Sequence, residues 1–165
     1  AVGWNARLGH RCDGPGTMAS PPDAETNIAI VEPMSFGRLV VDGSIPYPGL
    51  GRLSSPVSFE VAEGRLVTVE GPPREKDMLR ELLWEGEDHA KKRVLAELGL
   101  GLNPKAELCG IMLIDEGTKG TIHIGVGSNA TIGGANKVNF HLDLVINKAS
   151  LIVDDKIIMN NGELL

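Results

Sequence analysis

No stretch constrains the fold of this chain more than Val138-Asn139-Phe140-His141-Leu142-Asp143-Leu144-Val145-Ile146. In an extended chain successive side chains point to opposite faces. Val138, Phe140, Leu142, Leu144 and Ile146 therefore predict one unbroken apolar face, and His141 and Asp143 share the other. A slip of one residue would push the imidazole and the carboxylate into the core, so the register is firmly set. Thr121-Ile122-His123-Ile124-Gly125-Val126 repeats the design. His123 opposes Ile122, Ile124 and Val126, and Gly125 beside it leaves room for a close approach.

The rest of the chain reads largely as short strands. Glu25 to Ile30 alternates, Arg38 to Val41 is closed by Asp42-Gly43, and Val57–Val61 and Arg65–Val69 flank an Ala62-Glu63-Gly64 turn. Ile45 to Gly51, with two prolines and two glycines, reads as a loop. Val94 to Leu100 is a further strand, and Leu151–Val153 and Lys156–Met159 form a hairpin around Asp154-Asp155. Arg74 to about Lys92 is the one clear helix. Met78, Leu79, Leu82 and Leu83 make its apolar stripe, Pro72-Pro73 starts it, and Gly86 breaks or ends it. Leu108 to Ile114 is apolar but ambiguous. With only two Trp, one Tyr and three Phe, the core must rest on Val, Ile and Leu, which suits strands. The expectation is a single α+β domain, mainly an antiparallel, barrel-like sheet with one main helix, after an irregular start over residues 1–24.

Charge narrows the function classes. Lys and Arg number 16 against 22 Asp and Glu, a formal charge of −6, and only Lys91-Lys92-Arg93 forms a basic run. That run reads as a solvated helix end, so no nucleic-acid partner is expected. Cys12 and Cys109 have no CxxC neighbour, which points to reduced thiols, with Cys109 a small buried hydrophobe. There is no apolar run long enough for a membrane span, and no signal-peptide pattern, so the expected localisation is cytoplasmic. The chain starts at Ala1 without an initiator Met, as a processed chain or a fragment would. His10, in the turn-rich start, and His89, at a helix end, read as solvated.

Two imidazoles and one carboxylate on neighbouring strands suit Zn, Mn, Co or Fe, with open positions for water or substrate. Glu25 and Glu97 show the same pattern of a carboxylate among apolar residues. On pattern alone, that arrangement fits an exposed strand face better than a ligand.

Four stretches, taken in order, carry a resemblance: Pro22 to Val31 with Gly37 to Gly43, Ala96 to Pro104, Asp115 to Gly127, and His141-Leu142-Asp143. Together they resemble the metal-binding, C-terminal half of the aminopeptidase T family of metallopeptidases. The resemblance implies two divalent metals, Zn, Co or Mn, held by Glu25, Glu97, His123, His141 and Asp143. It implies a hydrolase that cleaves N-terminal residues of peptides, with Glu116 taking the proton of a metal-activated water. It further implies a preceding α/β domain, absent here, and a homodimer. The family's peptidases carry a tyrosine shortly after the first histidine, where Ser128-Asn129-Ala130 stands in this chain. That departure and the Gly133-Gly134 turn fit a related branch similar to 2,5-dihydroxypyridine dioxygenase, in which His123, His141 and Asp143 would hold one ferrous iron. A third reading is a metal-stabilised domain without catalysis of its own.

Overall fold

The computed structural model describes residues 14–16 and 21–165. Its elements, in chain order, are β1 (Glu25–Ala29), β2 (Gly37–Val41), β3 (Ser44–Ile45), β4 (Gly51–Arg52), β5 (Val57–Ala62) and β6 (Arg65–Leu66), then α1 (Pro73–Trp84) and α2 (His89–Lys92). They continue with β7 (Leu95–Gly101), α3 (Met112–Asp115), β8 (Ile122–Gly127), β9 (His141–Ile146), β10 (Leu151–Val153), β11 (Lys156–Asn160) and β12 (Glu163–Leu164). Six strands form the main sheet in the order β1-β7-β8-β9-β3-β4, every neighbouring pair antiparallel. Two three-stranded sheets, β2-β5-β6 and β10-β11-β12, accompany it. The α+β class is as expected. The main sheet is open, with β1 and β4 as its edges, so it does not close into a barrel.

Local chemistry explains the turns that the sequence marks. Asp154 and Asp155 both lie in the left-handed region, at φ 47° and 64°, as a two-residue hairpin turn demands. The helix contains its whole apolar stripe but stops short of Lys92, broken near Gly86 as expected. It buries Leu79 and Leu83 and stops at Trp84, where Gly86 takes φ 76° before the separate turn α2. The larger core gathers Val41, Ile45, Val57, Phe59, Leu66, Leu79, Leu83, Leu142 and Leu144. Among the described residues no helix is long and apolar enough to cross a membrane.

Several sequence-based expectations give way. The strand that carries His141 begins at that residue rather than at Val138. Its neighbour β8 ends at Gly127, whose φ of 106° turns the chain away and removes the ladder from residues 138–140. Phe140 still packs on the core from outside the strand. Residues Ile45 to Gly51 include the ends of the β3–β4 pair, and β6 stops at Leu66. The run from Leu108 to Ile114 is mostly loop, leading into α3. Cys109 is exposed there rather than buried, its backbone N–H drawn to Asp115. His10, Cys12 and most of the irregular start lie outside the described residues.

Candidate metal centre

The register of the main sheet assembles the site. Ala29, Glu97, Gly125 and Asp143 line up across β1, β7, β8 and β9, and the adjacent row holds Asn27, Gly99, His123 and Val145. His141 pairs with Gly127, two residues from Asp143 on the same face. Side chains of these rows share one side of the sheet, while Ile28, Leu98, Ile124 and Leu144 line the other. Glycine is required twice. A Cβ at Gly99 would sit 2.0 Å from His123 Nε2, and one at Gly125 would sit 2.8 Å from His141 Nε2 and 2.9 Å from the Glu97 Cβ. The imidazoles lie in the space those missing side chains leave.

All six residues singled out from the sequence meet here. Glu25 Oε2 lies 3.1 Å from His123 Nε2, and Glu97 reaches both histidines, with Oε1 3.8 Å from His123 Nε2 and Oε2 3.6 Å from His141 Nε2. Asp143 Oδ1 lies 3.2 Å from His141 Nε2. Donor atoms of Glu25, Glu97 and His123 fall within 4.8 Å of one another. His123 and Asp143 are each only 1% exposed and Glu97 8%, so these charged groups are buried rather than on a solvated strand face. Glu25 Oε1 accepts a hydrogen bond from Asn27 Nδ2 at 2.7 Å, whereas its Oε2 makes no aligned hydrogen bond despite facing His123. That oxygen and the His123 nitrogen meet through charge, both aimed at shared space.

Glu116 arrives from the turn after α3. Asp115, fully buried, accepts from the Cys109 and Gly110 amides at 2.7 and 2.8 Å and from Ser44 Oγ at 2.5 Å, which anchors that turn. A Cβ at Gly117 would meet the Ala24 nitrogen at 2.8 Å, so the turn packs tightly against the entry to β1.

The electrostatics are those of a crowded acidic pocket holding two cations. Burial opposes the His141 charge, but the hydrogen bond and charge of Asp143 raise its pKa to about 9. Burial likewise opposes the His123 charge, and Glu25 and Glu97 hold its pKa well above the usual value. Burial would raise Asp143, yet His141 and His123 keep it lowered, helped by a hydrogen bond from Glu116. Burial first, then the charges of Asp143, Glu25 and Asp23, push Glu116 up to about 9. Glu116 therefore carries a proton near neutrality and donates toward Asp143.

A divalent cation fits this set. Donor atoms of Glu25, Glu97 and His123 converge, and His141 and Asp143 adjoin them through Glu97. The buried Glu25 Oε2 has no aligned donor, and two glycines leave room for the imidazoles. Sequence reasoning missed the groups that orient the ligands: Asn27 on Glu25, and the Ser128 carbonyl, which accepts from His141 Nδ1 at 2.9 Å. Neither carries a sequence signal, because one is an ordinary strand amide and the other is backbone. His89 is an exposed residue of α2 whose Nδ1 faces the Gly86 carbonyl, away from the cluster. A cleft of about 480 Å³, lined by Glu97, Ser128, Thr131, Val138, Asn139, Phe140 and His141, leads to the outer side of the cluster.

Comparison with known proteins shows the family of the chain and its fold. The model of a family described as 2,5-dihydroxypyridine 5,6-dioxygenase matches residues 6–165. A solved structure of 2,5-dihydroxypyridine dioxygenase from Pseudomonas putida KT2440 superposes with a TM-score of 0.75 at 22% identity, over 87% of this chain and 44% of that one. The chain thus spans less than half the length of that protein. No curated protein matches. These findings overturn the aminopeptidase-type hydrolase: neither match is to an aminopeptidase T protein, and the family is one of oxygenases. Peptide cleavage goes with it.

Proposed function

From the premise that this chain belongs to the 2,5-dihydroxypyridine 5,6-dioxygenase family, we propose that its buried cluster holds one ferrous iron and serves oxygen-dependent cleavage of a small hydroxylated, nitrogen-containing aromatic ring. The observation that supports it best is the continuous set His123–Glu97–His141–Asp143 at the inner end of a cleft. Two imidazoles and one carboxylate are a donor set typical of oxygen-activating ferrous sites, and here His123, His141 and Asp143 would supply it. Iron held there would supply the oxygen activation that ring cleavage needs.

The chain's own residues supply the rest. The cleft, about 480 Å³, is large enough for a single planar ring. Phe140 offers it an apolar wall, and Ser128, Thr131 and Asn139 offer polar edges. Glu97 lies between the histidines and borders the cleft, where its carboxylate can take the proton of a ring hydroxyl. Glu116, protonated beside Asp143, holds the position of that carboxylate without adding another negative charge.

Anaerobic titration with ferrous iron, followed by oxygen-electrode measurement with 2,5-dihydroxypyridine, tests the reading. One iron per chain is expected, lost in His141→Ala and kept in Glu97→Gln, with oxygen uptake only in iron-loaded protein. Iron retained by His141→Ala, or no oxygen uptake by the iron-loaded chain, would sink it.

A further inference from the structure

The loop between the two histidine strands, residues 128–140, contains a network of amides that the ligand set does not use. Asn136 is its centre. Its Nδ2 donates to the Gly127 carbonyl at 2.6 Å and to the Lys91 carbonyl of α2 at 2.9 Å. Its backbone N–H donates to Asn129 Oδ1 at 2.9 Å, and its carbonyl accepts from the Asn129 N–H at 3.2 Å and from Ser128 Oγ at 3.3 Å. Asn129 is fully buried, and its Nδ2 donates to Glu32 Oε1 at 2.7 Å. A Cβ at Gly134 would fall 2.0 Å from the Asn129 amide carbon, so the loop closes directly over that side chain.

These bonds grip the chain on both sides of one residue. Asn136 holds Gly127 before Ser128 and Asn129 after it, and the Ser128 N–H is itself tied to the Phe140 carbonyl at 2.8 Å. The peptide between them has little freedom left. Its carbonyl is the acceptor for His141 Nδ1, at 2.9 Å. An imidazole that donates from Nδ1 presents the Nε2 lone pair, and Nε2 is the nitrogen facing Glu97 and Asp143.

We propose that Asn136, acting with Asn129, is a positioning residue for His141: it holds the Ser128 carbonyl in the place that selects Nε2 as the metal-binding nitrogen. The inference rests on the reading that His141 is a ligand, and it adds where that ligand's orientation comes from. The loop is thus a built part of the site. The side chain of Asn136 touches none of the ligands, and its effect passes through one backbone carbonyl.

The experiment uses the full chain loaded with Zn(II), a diamagnetic probe, and ¹⁵N-labelled histidine, of which the chain has four. In wild type, His141 should show a metal-shifted Nε2 and an Nδ1–H protected from exchange with solvent. Asn136→Asp is nearly isosteric but removes both amide donations to carbonyls. It should weaken zinc binding by about 10- to 100-fold and expose the Nδ1–H to exchange. Leu79→Ala, in the α1 core, should lower the melting temperature while leaving both readouts unchanged, which separates positioning from general loosening. If Asn136→Asp does not fold, Asn136→Ser carries the same comparison. Wild-type zinc affinity with an equally protected Nδ1–H in the variant overturns the inference while the metal reading stands. Ligation through Nδ1 in wild type does so as well. A wild-type chain that binds no zinc removes both.

Discussion

Metal binding by this cluster should depend steeply on pH. In the metal-free protein His141 holds its proton up to about pH 9, yet a ligand nitrogen must give that proton up. At pH 7 the two-unit gap corresponds to about 2.7 kcal/mol, trimmed to about 2 kcal/mol because a third of the side chain meets solvent. Affinity should therefore rise about tenfold per pH unit between pH 6.5 and 8.5 from His141 alone. If His123 also releases a proton, the rise should approach about a hundredfold, since its pKa is likewise raised. Stability of the metal-free protein should run the other way. A His141 pKa raised above its unfolded value stabilises the fold fully below pH 6.5, and that contribution is lost as pH climbs through about 9. Glu116, whose pKa is raised from 4.5 to about 9, acts in the same direction, because the folded chain holds a proton the unfolded chain has released. Titration calorimetry with Mn(II), which air does not oxidise readily in this range, measures the affinity. A weakly buffered indicator dye counts the protons released, with one to two expected per ion. A flat affinity from pH 6.5 to 8.5 with no proton release would refute the electrostatic account of the site.

Other perturbations probe the framework. Gly99→Ala drives a methyl group into His123 and should cost about 1–3 kcal/mol by thermal melting, with loss of tight metal binding. Leu142→Ala removes a fully buried core side chain beside the ligand strand positions and should cost about 2–5 kcal/mol in urea unfolding, with metal stoichiometry retained in the folded fraction. Ser44→Ala takes one of three donors from the buried Asp115 carboxylate and should cost about 1–3 kcal/mol, read as a lower denaturation midpoint.

Alternation of apolar and polar residues made the ligand strands legible. Leu142 and Leu144 are buried in the core while His141 and Asp143 occupy the opposite face, as a period of two requires. The same logic placed Glu25 and Glu97 on strands but could not say whether their faces were wet. That depends on which strands become neighbours, and β1 and β7 are separated by 65 residues before they pair at Glu25 and Gly101. The overextended strand at residues 138–140 failed for a related reason. A strand needs a partner, and Gly127 withdraws it. Closure into a barrel is likewise a property of the edges, to which alternation within a strand is blind.

The reaction was harder to read than the ligands, and the cause is chemical. Two imidazoles with nearby carboxylates serve hydrolytic and oxygen-activating metals alike, since both need nitrogen and oxygen donors and open coordination positions. What separates the two chemistries lies around the ligands. In the metal-free protein, burial and three neighbouring carboxylates raise the Glu116 pKa to about 9, so that this group adds no negative charge near neutrality. The pocket thus limits its own negative charge, leaving Glu97, which borders both histidines and the cleft, as the carboxylate best placed to meet an entering hydroxyl group. That division of roles arises from burial and cross-strand distance, neither of which a spacing pattern contains.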